Sequence, residues 1–232
     1  MATLAAEETA VPTTVDPSEE IAASTAGHYP VSLVIEDQPC LVVGGGPVAA
    51  SKVRGLRIAG ARVTVVAPSV VPVIERLAVQ EPAVVVHRRT YRSGETAGYR
   101  LVITATGVAD IDAAVARDAT SRGIWVNSAD DPANCSFILP SVHRDGRVTV
   151  AVSTGGASPA LASWIRRRLA RCCGQDMGAL AELLGQARKR VQASGRPTNS
   201  VDWQGLLDGC LPGLVNVGRL EEARRLVELL VP

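Results

Sequence analysis

The chain has 232 residues, 47% of them hydrophobic and 3% aromatic, and its 24 Lys and Arg nearly balance 23 Asp and Glu for a formal net charge of +1. Such a chain buries one substantial core with room for a small second unit. No apolar run approaches the roughly 20 residues that span a bilayer, and so small a charge excess falls short of the clustered basic face that nucleic acid demands. Neither a membrane nor a nucleic acid is therefore an expected partner.

Residues 1–27 hold five acidic side chains (Glu7, Glu8, Asp16, Glu19 and Glu20) and no Lys or Arg, which is the composition of a disordered tail. A secretory signal would need a positive start and an apolar stretch, and neither is present. Without those five negative charges the remainder carries +6, which suits an anionic small ligand. Leu41–Val43 then predicts a buried strand that stops at Gly44-Gly-Gly46, and the chain restarts as a helix over Val48–Ala59, closed by Gly60. Further strands are predicted at Arg62–Ala67, Ala83–Arg88, Arg100–Ala105 and Ile124–Asn127. Between the last two, Ile111, Ala114, Val115 and Ala119 recur at helical spacing over Ala109–Arg122, and Gly123 ends that helix. With so few aromatic residues, Val, Leu, Ile and Ala must fill the core, as they do in strands covered on both faces. The alternation predicts an α/β fold, a Rossmann-like doubly wound parallel sheet.

The pattern then changes. Ser136–Pro140 predicts a short strand, Arg147–Val152 a second, and His143–Gly146 the turn that joins them. This appended antiparallel pair has free edges that a second copy of the chain could cover, so a homodimer is expected. Ser158 is placed as the N-cap and Pro159 as the first residue of a helix running from Ala160 to about Cys173. Residues 177–193 and 218–231 predict further helices, with a loop at Ser194–Asn199, so the chain closes in a small α-helical unit.

The spacing Gly44-x-Gly46-x-x-Ala49 is that of a dinucleotide-binding turn. Gly44 allows the tight turn, Gly46 lets the backbone approach phosphate oxygens, and Ala49 permits close packing of helix on strand. A pyrophosphate would sit on the unpaired N–H groups at the helix start, where Pro47 is tolerated. Loops of this composition also form plain strand-to-helix turns, and the glycines alone leave that alternative open. The end of the second strand, Ala67-Pro68-Ser69, lacks the acidic residue that usually binds the ribose hydroxyls. Ser69 or backbone groups must serve instead, and nothing there separates NAD from NADP. The cysteines (Cys40, Cys135, Cys172, Cys173 and Cys210) form no C-x-x-C pair, which predicts reduced thiols in the cytoplasm, each acting as a small buried hydrophobe. His28, His87 and His143 are too dispersed for a zinc site, and no metal-binding residue is expected.

In order along the chain, Tyr29-Pro-Val-Ser-Leu33, Gly44-Gly-Gly-Pro-Val-Ala49 with Lys52, Gly60-Ala-Arg-Val-Thr-Val65 with Ala67-Pro68, Asn127-Ser-Ala-Asp130, Ser136-Phe-Ile-Leu-Pro140 and Val152-Ser-Thr-Gly-Gly-Ala-Ser-Pro159 resemble the precorrin-2 dehydrogenase family. These are NAD-dependent enzymes of sirohaem and cobalamin biosynthesis, and some also act as sirohydrochlorin ferrochelatases. The resemblance runs from about Tyr29 to Leu169 and implies a division into a tail (1–27), an NAD-binding domain (28–139), a dimerisation segment (140–170) and a helical domain (171–232). It implies that Gly44, Gly45, Gly46, Pro47 and Val48 form the pyrophosphate turn, that Pro68 and Ser69 lie beside the adenosine ribose, and that Thr106 completes the cofactor set. Asp130 matches the family's essential aspartate in Asn-x-x-Asp, just past the fifth strand, where open α/β sheets place their ligands. A loop-capping aspartate is the structural alternative, and the neighbouring Asp131 does not match. Lys52 reads as a solvated helix charge, and Ser51 departs from the arginine that many relatives place there.

The implied substrate is a polycarboxylate, which calls for Arg or Lys around its cleft. Arg166, Arg167, Arg168 and Arg171 point in different directions on one helix, so at most one or two face a ligand; Arg166 is the chosen candidate. Asn127, Ser153 and Thr154 join it as substrate-binding candidates, the last two by matching a Ser-rich turn. The implied reaction takes precorrin-2 to sirohydrochlorin: a hydride passes to NAD+ and a proton leaves separately, with Asp130 as general base. Insertion of Fe2+ or Co2+ into sirohydrochlorin is a second activity that the resemblance leaves open. A non-catalytic NAD-sensing module, or a scaffold with a degenerate site, would need only the glycine turn and would leave Asn127–Asp130 and Thr154–Pro159 unexplained. The chain ends at Pro232, before the methyltransferase that some relatives carry as a fused domain, so a separate protein is expected to make the precorrin-2. Residues 171–232 match the family least.

Overall fold

The computed structural model describes residues 27–129, 131–172 and 176–230. The expected tail up to residue 26, Asp130 and Cys173 lie outside the described residues. Leu33 closes an N-terminal unit whose described residues, from Gly27, form no helix or strand, and Val34–Pro232 form a second unit.

Five parallel strands, β1 (Pro39–Val43), β2 (Arg62–Val66), β3 (Val84–His87), β4 (Leu101–Thr104) and β5 (Trp125–Ser128), lie in the order β3-β2-β1-β4-β5. Helices α1 (Pro47–Ile58), α2 (Pro72–Gln80) and α3 (Ala109–Ser121) connect them. Central β1 explains why the predicted strand reads as a continuous apolar run. Cys40 and Val42 join a cluster with Ala49, Val53 and Leu56 of α1, while Leu41 and Val43 join another with Val115, Ala116 and Ala119 of α3. Both faces of the sheet are thus covered, as its parallel connections require. Helix α2 was not expected from the sequence: Ile74 is its one fully buried residue, so its apolar stripe is narrow.

No helix covers the connection from β3 to β4, and Asp118 of α3 fastens it instead. Its Oδ2 accepts hydrogen bonds from the Tyr91 hydroxyl at 2.6 Å, the Thr96 hydroxyl at 2.7 Å and the Gly94 and Thr96 amides at 3.1 and 3.3 Å. Arg122 Nε donates to Oδ1 at 3.1 Å. Burial pushes the Asp118 carboxyl up, but the hydrogen bonds from Tyr91, Thr96 and Arg122 outweigh it and hold the group well below the usual carboxylate range. A depressed folded-state pKa contributes stability that is fully present above the unfolded value of about 3.9 and is lost as the pH falls through the folded one. Asp118→Ala should therefore cost about 2–4 kcal/mol at neutral pH, because it strands the buried Thr96 donors. Urea unfolding should show that gap narrowing below about pH 4; an unchanged midpoint at neutral pH would contradict it.

The appended hairpin consists of β6 (Ser141–Asp145) and antiparallel β7 (Val148–Val152), which corrects the expected strand over Ser136–Pro140. That segment is held beside β5 without forming a ladder. Ser136 N donates to Val126 O at 2.8 Å, and the Ser136 hydroxyl accepts from Val126 N at 2.7 Å. Pro140 has no N–H to continue such pairing. The strand begins after it, so His143 and Arg144 are strand residues and the turn contracts to Gly146-Arg147.

Helix α4 (Pro159–Cys172) packs on both hairpin strands, and the Ser158 hydroxyl caps it by accepting from Leu161 N at 3.2 Å. Helices α5 (Met177–Ala193), α6 (Trp203–Asp208), α7 (Leu211–Asn216) and α8 (Leu220–Leu230) enclose a core of their own that includes Leu183, Val191, Leu211 and Val227. The short α6 and α7 occupy a stretch where no helix was expected. The hairpin tip docks directly on α5: Asp145 Oδ2 accepts from Gly178 N at 3.0 Å, and a Cβ on Gly178 would lie 2.8 Å from the Asp145 carbonyl oxygen. Of the described cysteines, all free, Cys40 alone is the buried hydrophobe expected; burial pushes its thiol up to about 11. Cys172 and Cys210 are exposed and Cys135 is half-buried.

Candidate active site

The strand order reverses direction between β1 and β4, so a crevice opens at their carboxyl ends. Gly44 follows β1 with φ +127°, and a Cβ there would overlap the Ala105 carbonyl oxygen beyond β4. A Cβ on Gly45 would overlap the Ser69 carbonyl oxygen, so the glycine turn is wedged between the ends of β4 and β2. Gly46 differs: among the described residues, nothing lies within 4 Å of its would-be Cβ. Gly46 also starts α1 without a side-chain cap, and α1 has no acidic residue in its first turn. Among the described residues no side chain caps the first-turn N–H groups, the arrangement that accepts a pyrophosphate. Pro47 and Val48 are exposed at this helix start, and Pro68 and Ser69 are exposed at the end of β2. These residues fit a dinucleotide.

Thr106 sits on the far wall, held by a residue that the sequence did not single out. Asp112, buried in the first turn of α3, accepts from the Thr106 amide at 3.1 Å, from the Thr106 hydroxyl at 2.8 Å and from the Thr104 hydroxyl. The Thr106 hydroxyl also accepts from Val108 N at 3.0 Å. An acidic residue in the first turn of a helix was the available signal; its partners lie in the preceding loop and strand.

Past β5 the chain turns through Asp131 into a short 3-10 segment, Pro132–Asn134. Asn127 is only 7% exposed, and its amide donates to the Phe137 carbonyl at 3.0 Å. The Asn127 amide nitrogen is thus bonded within the protein. Asp131 Oδ2 accepts from Asn134 Nδ2 at 2.7 Å. Lys52, expected as a solvated helix charge, is half-buried.

Ser153 and Thr154 line a cavity of about 240 Å³ together with Ile138, Ser141 and Ser163. Both hydroxyls also build their turn: Ser153 Oγ accepts from Gly155 N at 3.2 Å, and Thr154 Oγ1 from Ser158 N at 3.0 Å. Arg166 reaches the same wall, donating from Nε to the Ser141 hydroxyl at 3.0 Å, whereas Arg168 lies 5.5 Å over the Trp164 ring. The structure therefore gathers Ser153, Thr154 and Arg166 around the hairpin, and the glycine turn and Thr106 around the crevice. Among the described residues, no group of three or more His, Cys, Asp or Glu could hold a metal ion, and no helix is long and apolar enough to cross a membrane.

Residues 31–141 match a family of NAD(P)-binding domains, and residues 145–171 match the central region of sirohaem biosynthesis proteins. A siroheme synthase of Methylococcus capsulatus is 41% identical over 202 residues, covering 86% of this chain and 42% of that protein. Siroheme synthases of Nitrosococcus oceani and Pseudomonas aeruginosa are 37% and 39% identical, covering 87% and 84% of this chain and 43% and 42% of theirs. The chain thus spans less than half the length of these relatives. A solved structure titled SirC, precorrin-2 dehydrogenase, shares the fold with a TM-score of 0.69 at 23% identity, covering 87% of this chain and all of that one. The wedged glycines before the helix start fall within the matched NAD(P)-binding region, and the second hairpin strand and nearly all of the helix after it within the matched central region of sirohaem biosynthesis proteins, in that order along the chain.

Proposed function

We propose that the chain catalyses the NAD-dependent dehydrogenation of precorrin-2 to sirohydrochlorin. The observation that carries this is the open space over Gly46 at the start of α1, which no described side chain caps. Gly44, Gly45, Gly46, Pro47 and Val48 cradle the pyrophosphate, Pro68 and Ser69 border the adenosine ribose, and Thr106, fixed by Asp112, forms the opposite wall. Bound NAD+ supplies the hydride acceptor. Asp130 accepts the proton that leaves the macrocycle separately, which balances the loss of two hydrogens. Arg166, Ser153 and Thr154 meet substrate carboxylates from the hairpin side, and Asn127 acts indirectly by holding Phe137. Insertion of Fe2+ or Co2+ into the product would fall to the same Asp130 carboxylate, since no described cluster offers a ligand set.

We assign residues 28–139 to the cofactor, 140–170 to a homodimer contact through the free hairpin edges, and 171–232 to the substrate-side helices. The reduced thiols and the tetrapyrrole substrate suit a cytoplasmic protein. Anaerobic incubation with precorrin-2 and NAD+ should yield NADH and sirohydrochlorin in equal amounts. Tight NAD+ binding without any NADH formed would instead indicate a sensing module.

A further inference from the structure

The backbone and the side chain of Thr106 both bond to one carboxylate oxygen. Asp112 Oδ1 accepts from the Thr106 amide at 3.1 Å, from the Thr106 hydroxyl at 2.8 Å and from the Thr104 hydroxyl. Asp112 is only 6% exposed, in the first turn of α3, and its own amide donates to Val108 O at 3.0 Å. The segment that these bonds hold is also fixed on both flanks. Ala105 N donates to Val43 O of β1 at 2.8 Å, and Ala129 N, just past β5, donates to Thr104 O at 2.8 Å. Thr106 abuts the glycine turn, since a Cβ on Gly44 would lie 3.2 Å from the Thr106 amide nitrogen.

The direction of each bond decides what Thr106 offers a ligand. A threonine has one proton to donate from its amide and one from its hydroxyl. The amide proton goes to Asp112. The hydroxyl proton has two acceptors in reach, Asp112 Oδ1 at 2.8 Å and the Val108 carbonyl at 3.3 Å, and the nearer, charged one takes it. Val108 N donates to the hydroxyl oxygen at 3.0 Å and so occupies one of its two lone pairs. What is left for a ligand is an acceptor lone pair with a buried carboxylate behind it.

We propose that Thr106, held by Asp112, is an acceptor-only contact that takes a hydrogen-bond donor of the coenzyme, a ribose hydroxyl or an amino group of the carboxamide or adenine, and turns the phosphates away. The inference rests on the coenzyme site proposed above and sharpens it. A phosphate oxygen is itself an acceptor, so it finds no proton at Thr106 and meets a like charge at Asp112. The pyrophosphate is left to the amides at the start of α1. The two walls of the crevice thereby divide the dinucleotide between its acceptor groups and its donor groups. Thr106 is the contact in this scheme, and Asp112 is the positioning residue that spends its protons.

Titration calorimetry of the full chain tests this without precorrin-2. NAD+ is compared with analogues that each lack one donor: a methyl ketone in place of the carboxamide, hypoxanthine in place of adenine, and a deoxyribose in place of either ribose. Thr106→Val, which keeps the shape of the side chain, should weaken NAD+ binding roughly 3–10-fold. One analogue should already be weakened by that factor in the wild type and lose nothing further in Thr106→Val, which identifies the group that Thr106 meets. Thr106→Ser should restore the wild-type preference for NAD+ over that analogue. Asp112→Ala, which releases both Thr106 protons, should abolish that preference, and Asp112→Asn, which still offers an oxygen, should keep most of it. Thr106→Val binding NAD+ as tightly as the wild type, or losing the same factor on NAD+ and on every analogue, overturns the proposal. A full preference retained in Asp112→Ala removes Asp112 from its role; should that variant not fold, Thr106→Val still decides. A wild-type protein that binds no NAD+ at all fails the coenzyme site itself, whereas one that shows this pattern without forming NADH from precorrin-2 loses only the dehydrogenase function.

Discussion

Gly46→Ala is expected to leave the fold intact and to weaken NAD+ binding roughly 10–100-fold, or about 1.4–2.8 kcal/mol, whereas Gly44→Ala is expected to damage fold and binding together. The two residues stand two apart in one turn and differ in what surrounds them. At Gly46 the backbone is extended, with φ −81° and ψ −175°, so alanine adopts it freely, and the added methyl projects into space that no atom of the described residues fills. That space is where a pyrophosphate must come within reach of the first-turn amides, and a methyl holds it off. At Gly44, φ +127° disfavours any side chain, and a Cβ would overlap the Ala105 carbonyl. Relief requires β4 to move away from β1, at a cost of about 3 kcal/mol or more, or a fall in Tm of roughly 6–12 °C for a chain of this size. Thermal unfolding and titration calorimetry with NAD+ separate the two cases. Gly46→Ala binding NAD+ as tightly as wild type would mean that the turn does not face the cofactor.

Asp130→Asn should lower kcat with precorrin-2 by about 10²–10⁴-fold, the usual contribution of a positioned general base, which corresponds to roughly 3–5 kcal/mol of transition-state stabilisation. The amide keeps the size of the side chain and cannot accept the proton, so NAD+ affinity and Tm should stay near wild type. Asp131→Asn is the matched control. Its carboxylate already accepts from Asn134, so it should show a small stability loss and little change in kcat. Single-turnover measurement of NADH formation distinguishes slowed chemistry from slowed product release. Near-normal turnover in Asp130→Asn, or an equal loss in Asp131→Asn, would remove Asp130 from the role of base.

Most of the cofactor half was legible before the fold was known, because its signals are contiguous. Leu41–Val43, the three glycines and the helical restart need only local backbone geometry and the burial of a short apolar run; the strand and glycines stand where the pattern placed them, and the helix expected over Val48–Ala59 begins one residue earlier, at Pro47. The helix at residues 177–193 was equally plain, since Leu180, Leu183, Ala187 and Val191 repeat on one face over several turns. Ser136–Pro140 misled because its apolar residues suit a strand equally well. What decided the matter was the edge of β5 beside it and the missing donor of Pro140.

Composition and periodicity by themselves determined the class of fold, the order of its layers and the position of the dinucleotide turn, since each follows from preferences expressed within a few consecutive residues. Only the tertiary structure decided that Asp112 would hold Thr106, that Asp118 would replace a missing helix and that Asn127 would turn inward. The physical reason is the same in each case. A polar side chain has many possible partners along the chain, and which of them it bonds is set by where packing of the apolar faces brings distant segments together.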